Sequence, residues 1–515
     1  MKRLLLKPLA LAILLLSQAT CVALFDANPV AELTILVRDA DDQPLPCRIH
    51  LLNQQGQAQR AEGQPFWHDH FVCSGQATIP LAPDSYDFAI ERGPEYERKA
   101  GRIEITAGAS HKLEVTLERV ADLRSDRWYS GDLHVHRPIA DIEQLMQAED
   151  IDFVPVITWW NSRNMWKDAV VPEQVVRRFG DHRIYSIMAG EDERAGGALL
   201  YFGLHSPLDI ETDDREFPAP LHFVETAKLR TPAVWIDIEK PFWWDVPVWL
   251  ASGQMNSIGI ANNHMCRSQM YATEAWGKPR DAQRLPAPRG NGYWTQEIYY
   301  HLLNCGLRLP PSAGSASGVL PNPVGYNRVY VHLDQPFEYE SWFRGLSSGR
   351  CFVSNGPLLR VTVDGQDPGA VIELARNESR RLRVKVELTT HDPISHIELI
   401  KNGQVAQIIK CFDALHQRHT LDLTIDQPCW FLVRAITDVQ HTFRFASTAP
   451  WYVETRDTRH HISRRSVRFF LDWIEERIQR VQSSVDDHSR RASVLLWHER
   501  ARRFWTERLR MANVE

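Results

Sequence analysis

The 515-residue sequence contains no Cys-x-x-Cys pair, although it has 8 cysteines, and so lacks the spacing of a zinc ribbon or a dithiol redox site. It has no Gly-rich phosphate loop, no Gly-x-Ser-x-Gly elbow and no His-Glu-x-x-His helix, which counts against nucleotide, serine-hydrolase and zincin chemistry. Charge of one sign is also missing. With 59 Lys and Arg against 65 Asp and Glu, the net charge of −6 gives no overall field to draw the molecule onto nucleic acid or an anionic membrane. Beyond the N-terminus no apolar run is long enough to cross a bilayer, and no repeat or low-complexity tract occurs.

What is present begins with "MKRLLLKPLALAILLLSQATCVA", a basic start, an apolar stretch from Leu9 to Leu16 and then small residues. This layout predicts a secretory signal over residues 1–23, cleaved after Ala19 or Ala23, and an exported protein of the periplasm or extracellular space. Cys21 admits a lipid anchor as a second reading, although Gln18 and Thr20 are poor neighbours for that processing. Cys47 with Cys73, and Cys411 with Cys429, lie in strand-like stretches, either as disulfide partners or as small buried apolar residues.

Short alternating runs such as "AELTILVRD" and "HKLEVTLE" predict a β-sandwich over residues 29–122. From 123 to 350 the rhythm changes to apolar strands ("IDFVPVI", "IYSIMAG", "PAVWIDI") alternating with helical stretches ("IEQLMQAED", "TQEIYYHLLNCG"), the pattern of an α/β unit. A second β-sandwich is expected over 351–455, where "KNG" at Lys401 to Gly403 marks a hairpin. In the tail, 460–515, Val467, Phe470, Leu471, Ile474, Ile478 and Val481 recur at helical spacing, opposite an Arg-rich face expected to meet solvent or an acidic partner.

"YSGDLHVHRP", Tyr129 to Pro138, carries the chemistry. A His-x-His pair is expected by chance in a chain with 21 histidines, and "FWHDHF" supplies another at His68 and His70, read as ordinary surface or turn residues. His134 and His136 differ in context. On a strand, side chains two apart share a face, and this strand opens the α/β unit, where sites gather at strand ends. The pair therefore predicts a divalent metal site, with Asp132 placed as ligand or as acceptor for an imidazole.

"GDLHVH" resembles the first motif of the polymerase and histidinol phosphatase (PHP) superfamily, and the run from Trp128 to Pro357 resembles its carbaryl-hydrolase-like metallohydrolase branch. The resemblance implies a distorted β/α barrel flanked by two β-sandwiches, with metal at the strand ends. Its Gly-Glu motif is matched by "IMAGEDER", which makes Glu191 the carboxylate ligand and Glu193 the runner-up. Two motifs depart from the pattern. Trp159 and Trp160 stand where an Asp and a His are expected, and "AGSASGV" puts Ala316 and Gly318 where ligands would be. One ion rather than several is then expected, with substitutes from His264 at a strand end, and from Asp237 and Glu239, which share a strand face. His134, His136, Glu191 and His264 suit zinc, manganese or iron with a position left for water.

Asp237 or Glu239 is the expected general base. Arg194, like Arg137, follows its motif directly, as a clamp for a substrate oxyanion or as a structural ion pair. Tryptophans from Trp159 to Trp249 suggest aromatic walls for a small-molecule or glycan substrate. The expected activity is hydrolysis of an ester, amide, carbamate or phosphoester by metal-activated water. The competing reading is a catalytically silent barrel that binds an extracellular glycan or peptide.

Overall fold

The computed structural model describes residues 31–210, 214–455 and 461–515, so the expected leader and Cys21 lie outside the described residues. Those described form a mixed α/β architecture of seven helices and several sheets. Among them, no helix is long and apolar enough to cross a membrane.

The first unit follows from simple alternation. Along Ala31–Arg38 every second side chain is buried, with Leu33, Ile35 and Val37 fully so. This strand lies between Gln76–Leu81 and Ser110–Thr116, and a second sheet of five strands shares its apolar core. Cys47 and Cys73 face each other there on paired strands as thiols, sulfurs 3.8 Å apart.

In the central unit, Trp128–Gly131 pairs antiparallel with Arg328–His332 and meets Phe153–Trp160 in parallel. Phe153–Trp160 runs parallel to Arg183–Arg194, which continues through Gly197–Phe202, Trp235–Ile238, Ser257–Ala261 and Pro311–Ala313. Val135, between the two histidines, bridges in parallel to Val156 on one side and Ser317 on the other. Phe153–Trp160 and Ser257–Ala261 are largely apolar and buried along nearly their whole length, as strands covered on both faces are. Helix Ile142–Ala148 falls within a stretch expected to be helical, and Gly290–Asn304 overlaps the other, expected over 295–306, but starts five residues earlier.

The sheet does not stop at residue 350. Cys351–Ser354 pairs with Arg328–His332 on one edge and Phe445–Thr448 on the other, joining the last unit to the central one by backbone hydrogen bonds. Asn402 (φ 50°) and Gly403 (φ 82°) make the tight turn between His396–Lys401 and Gln404–Lys410.

The tail is a helical pair, Arg464–Ser484 and His488–Arg510, capped by the side chains of Ser463 and Asp487. Val467, Phe470, Ile474, Ile478 and Val481 are buried as the spacing requires. Arg477, on the same helix, is buried as well. It donates to Asp245 (2.7 Å) and to both oxygens of Glu216 (2.9 and 2.5 Å), tying the pair to the central unit.

Candidate metal centre

The extended segment Leu133 to His136 is held from both sides: Leu133 N donates to Ala313 O, His136 N to Ser317 O, and Ile157 N to Val135 O. With Leu133 and Val135 turned into the core, His134 and His136 emerge on the opposite face. Their Nε2 atoms lie 2.9 Å apart, and Glu191 Oε2 stands 3.3 Å from the first and 3.2 Å from the second. Donors bound to one ion at about 2.0–2.2 Å lie about 3 Å apart, so this triangle has the size of a group that could hold one ion.

Two further observations fit a cation. Glu191 Oε2 is buried and makes no hydrogen bond, an arrangement that is costly without a positive partner. His134 Nδ1 lies 3.3 Å from Glu239 Oε1, a carboxylate on the far nitrogen that orients the ring and would leave Nε2 as the donor to a cation taking the place of its proton. Burial pushes the His134 imidazole toward neutrality, but Glu191 and Glu239 outweigh it and raise its pKa to about 10. Burial likewise opposes ionisation of Glu191, and His134 and His136 reverse this and hold its carboxyl low. Both directions describe a pocket that holds positive charge.

Glu239 is itself fixed. It accepts from Lys240 Nζ at 2.6 Å on both oxygens, from Asn263 Nδ2 at 2.8 Å and from Trp243 Nε1 at 2.8 Å. It serves as a support for His134 and has little freedom left to act as a base.

The other expected residues are placed as follows. His264 lines the same cavity but is not part of its group of donor atoms within 4.8 Å of one another, which comprises His134, His136 and Glu191. Its Nδ1 lies 3.1 Å from the Thr273 carbonyl, and burial, then Lys240, lower its pKa to about 3, so the ring is neutral. Asp132 is fully buried and accepts backbone N–H from His134 (3.1 Å), Ser315 (2.9 Å) and Gly325 (2.7 Å). It clamps the loops behind the site instead of facing the imidazoles.

Asp237 lies beneath Glu239, accepting from the hydroxyls of Ser257 and Ser312, and is not on the cavity wall. Burial pushes it up to about 7. Arg194 points away from the cavity. It grips Asp192 (2.5 and 2.8 Å) and donates to the Pro218 carbonyl, because residues 192 and 194 occupy the strand face opposite Glu191 and Glu193. Arg137 donates to the Phe66 carbonyl at 3.2 Å and lies over Trp67, a structural contact with the first unit.

The cavity measures 360 Å³, and Trp160, Trp243, Trp276 and Tyr271 contribute its aromatic walls. Trp160 leans on His136 with ring centroids 5.2 Å apart, while Trp159 is buried beneath against the backbone of Gly190, where a Cβ would collide. Indole rings thus occupy positions 159 and 160, where an Asp and a His are expected. Glu193 shares the cavity, and burial, then Glu191, push it up to about 7. Sequence reasoning did not reach Lys240 or Asn263, since neither belongs to a recognisable motif. In the first unit, His70 is buried and not a surface residue: Asp69 holds it (2.9 Å) together with His50 (3.3 Å). The donor atoms of His50, Asp69 and His70 also lie within 4.8 Å of one another, and there Arg48 donates to His50 Nε2.

No family model matches the chain, and no curated protein matches it. A solved structure, the Bacillus anthracis TIE protein, aligns over 22% of this chain and 19% of its own at 20% identity, with a TM-score of 0.14. The chain spans about one fifth of that protein's length, and so low a score carries no argument about fold.

Proposed function

We propose that the chain is an exported metal-dependent hydrolase of the PHP type, with one divalent ion, zinc, manganese or iron, held by His134, His136 and Glu191. The observation that carries this reading is the triangle of two imidazole nitrogens and an unpartnered carboxylate oxygen with sides of 2.9 to 3.3 Å. A closed β/α barrel is the reading favoured by the parallel bridges of Val135 to Val156 and to Ser317, which flank the histidine segment on both sides. Export rests on the composition of residues 1–23.

When bound, such an ion supplies Lewis acidity, lowering the pKa of a coordinated water and polarising a carbonyl or phosphoryl oxygen. This chain's residues do the remaining work. Glu239 orients His134, Glu193 stands on the cavity wall where it can take or return a proton, and the indoles of Trp160, Trp243 and Trp276 exclude water and offer flat surfaces to a ring-bearing substrate.

Elemental analysis of the purified protein tests the reading: about one equivalent of transition metal per chain, lost in the His134→Ala, His136→Ala double variant, is the expected result. Ester and phosphoester turnover should disappear with the metal. A protein that binds none of the three metals under any loading condition would be a silent binding protein instead.

A further inference from the structure

Away from the metal centre, a cavity of 440 Å³ opens where the three units meet, and none of its wall residues lines the metal cavity. Its wall is made of ion pairs in unequal number. Glu91 is held by Arg48 and Arg267. Glu149 takes both its hydrogen bonds, 2.5 and 2.6 Å, from Arg48 and also faces Arg328. Asp392 is held by Arg444 at 2.9 and 3.0 Å and by Arg98 at 3.1 Å. Five guanidiniums therefore line the wall with three carboxylates, an excess of two positive charges.

The excess is built into the fold. Arg328 is buried, and its own hydrogen bonds go to the carbonyls of Gly325 and Glu149, not to a carboxylate. Glycines make room for it: a Cβ at Gly93 (φ +62°) would sit 3.2 Å from its guanidinium, and one at Gly325 (φ +71°) 2.9 Å. On the same wall, His391 Nε2 is buried with no hydrogen-bond partner. Uncompensated positive charge in a desolvated wall is costly, and guanidinium forks match the oxygens of a tetrahedral anion.

We propose that this cavity binds a doubly charged tetrahedral oxyanion, either as free sulfate or phosphate or as the phosphate monoester of a larger molecule. The space exceeds what a bare ion fills and leaves room for a carrier. Because the ligand would touch all three units, its binding should also tighten their junction.

Calorimetric titration of the full chain with sodium sulfate and with sodium phosphate, at constant ionic strength, tests this directly. Saturable binding of at least one of the two is expected. Arg98 and Arg267 each share their carboxylate with a second arginine, so the Arg98→Gln, Arg267→Gln variant removes the excess charge without leaving an acid unpaired. Binding should weaken about tenfold for each guanidinium removed. Arg98→Gln alone, at a partly exposed position, gives the same test if the double variant folds poorly. Absence of saturable binding of either anion by the wild type, or unchanged affinity in the variants, would overturn the proposal. Comparing glucose 6-phosphate with glucose and with free phosphate separates the two sources: tighter binding of the phosphorylated sugar assigns the site to an ester, and equal or weaker binding to the free ion.

Discussion

At the scale of single residues, the site is governed by strand parity. Glu191 and Glu193 share one face of Arg183–Arg194 and reach the cavity, while Asp192 and Arg194 share the other and bind each other. Glu239→Gln tests the support of His134. The amide keeps its shape but no longer attracts the imidazole N–H as a charge, so metal affinity should fall about 10–100-fold in a chelator competition. Glu193→Gln should behave oppositely, keeping its metal while losing turnover, about 100-fold or more if this side chain moves the proton. Metal lost together with activity would make Glu193 a structural neighbour of the site. Parity also explains what was legible. "GDLHVH" and "AGEDER" displayed their same-face pairs openly, and that pairing alone could have excluded Arg194. The roles of Asp132 and Asp237 were not legible, since each is decided by backbone amides or hydroxyls brought from more than 15 residues away, which no local pattern encodes.

Elements were more legible than their joints. Alternation gave the strands of the first unit, and 3.6-residue spacing gave the helix Arg464–Ser484, because burial of one face imposes both periods. The joint at residue 350 was hidden, because backbone hydrogen bonds between Cys351–Ser354 and Phe445–Thr448 leave no compositional trace. Arg477 was hidden in the same way, an arginine in an Arg-rich helix whose carboxylate partners come from distant segments. Its removal has a defined cost. Arg477→Met leaves Glu216 and Asp245 buried without their main cation, which should destabilise the docked tail by about 3–5 kcal/mol, read as a lower denaturant midpoint. Arg480→Met, one turn along and half-exposed, should change the midpoint little.

For the whole molecule, the junction of the units sets the response to pH. Asp150 shows one sign: burial opposes its charge, but Arg92, Arg124, Arg119 and Arg183 outweigh burial and hold its pKa low. Its contribution is complete above the unfolded carboxyl pKa of about 3.9 and disappears as pH falls toward the folded value. Glu95 shows the other. Burial, then Asp150, push it up to about 7 beside the Leu123 amide and the Tyr330 hydroxyl. A raised carboxyl pKa means that the folded chain holds a proton the unfolded chain releases. That contribution is full below about 4.3 and is lost as pH rises through about 7. Between them, Asp150 and Glu95 favour the folded junction most on the acidic side of neutrality. Glu95→Gln, which cannot ionise, should therefore gain on the wild type as pH rises: the difference in denaturant midpoint should favour the variant more at about pH 8 than at about pH 5. An equal difference at both values would show that Glu95 is already charged across this range, with the nearby Arg119 compensating for its burial.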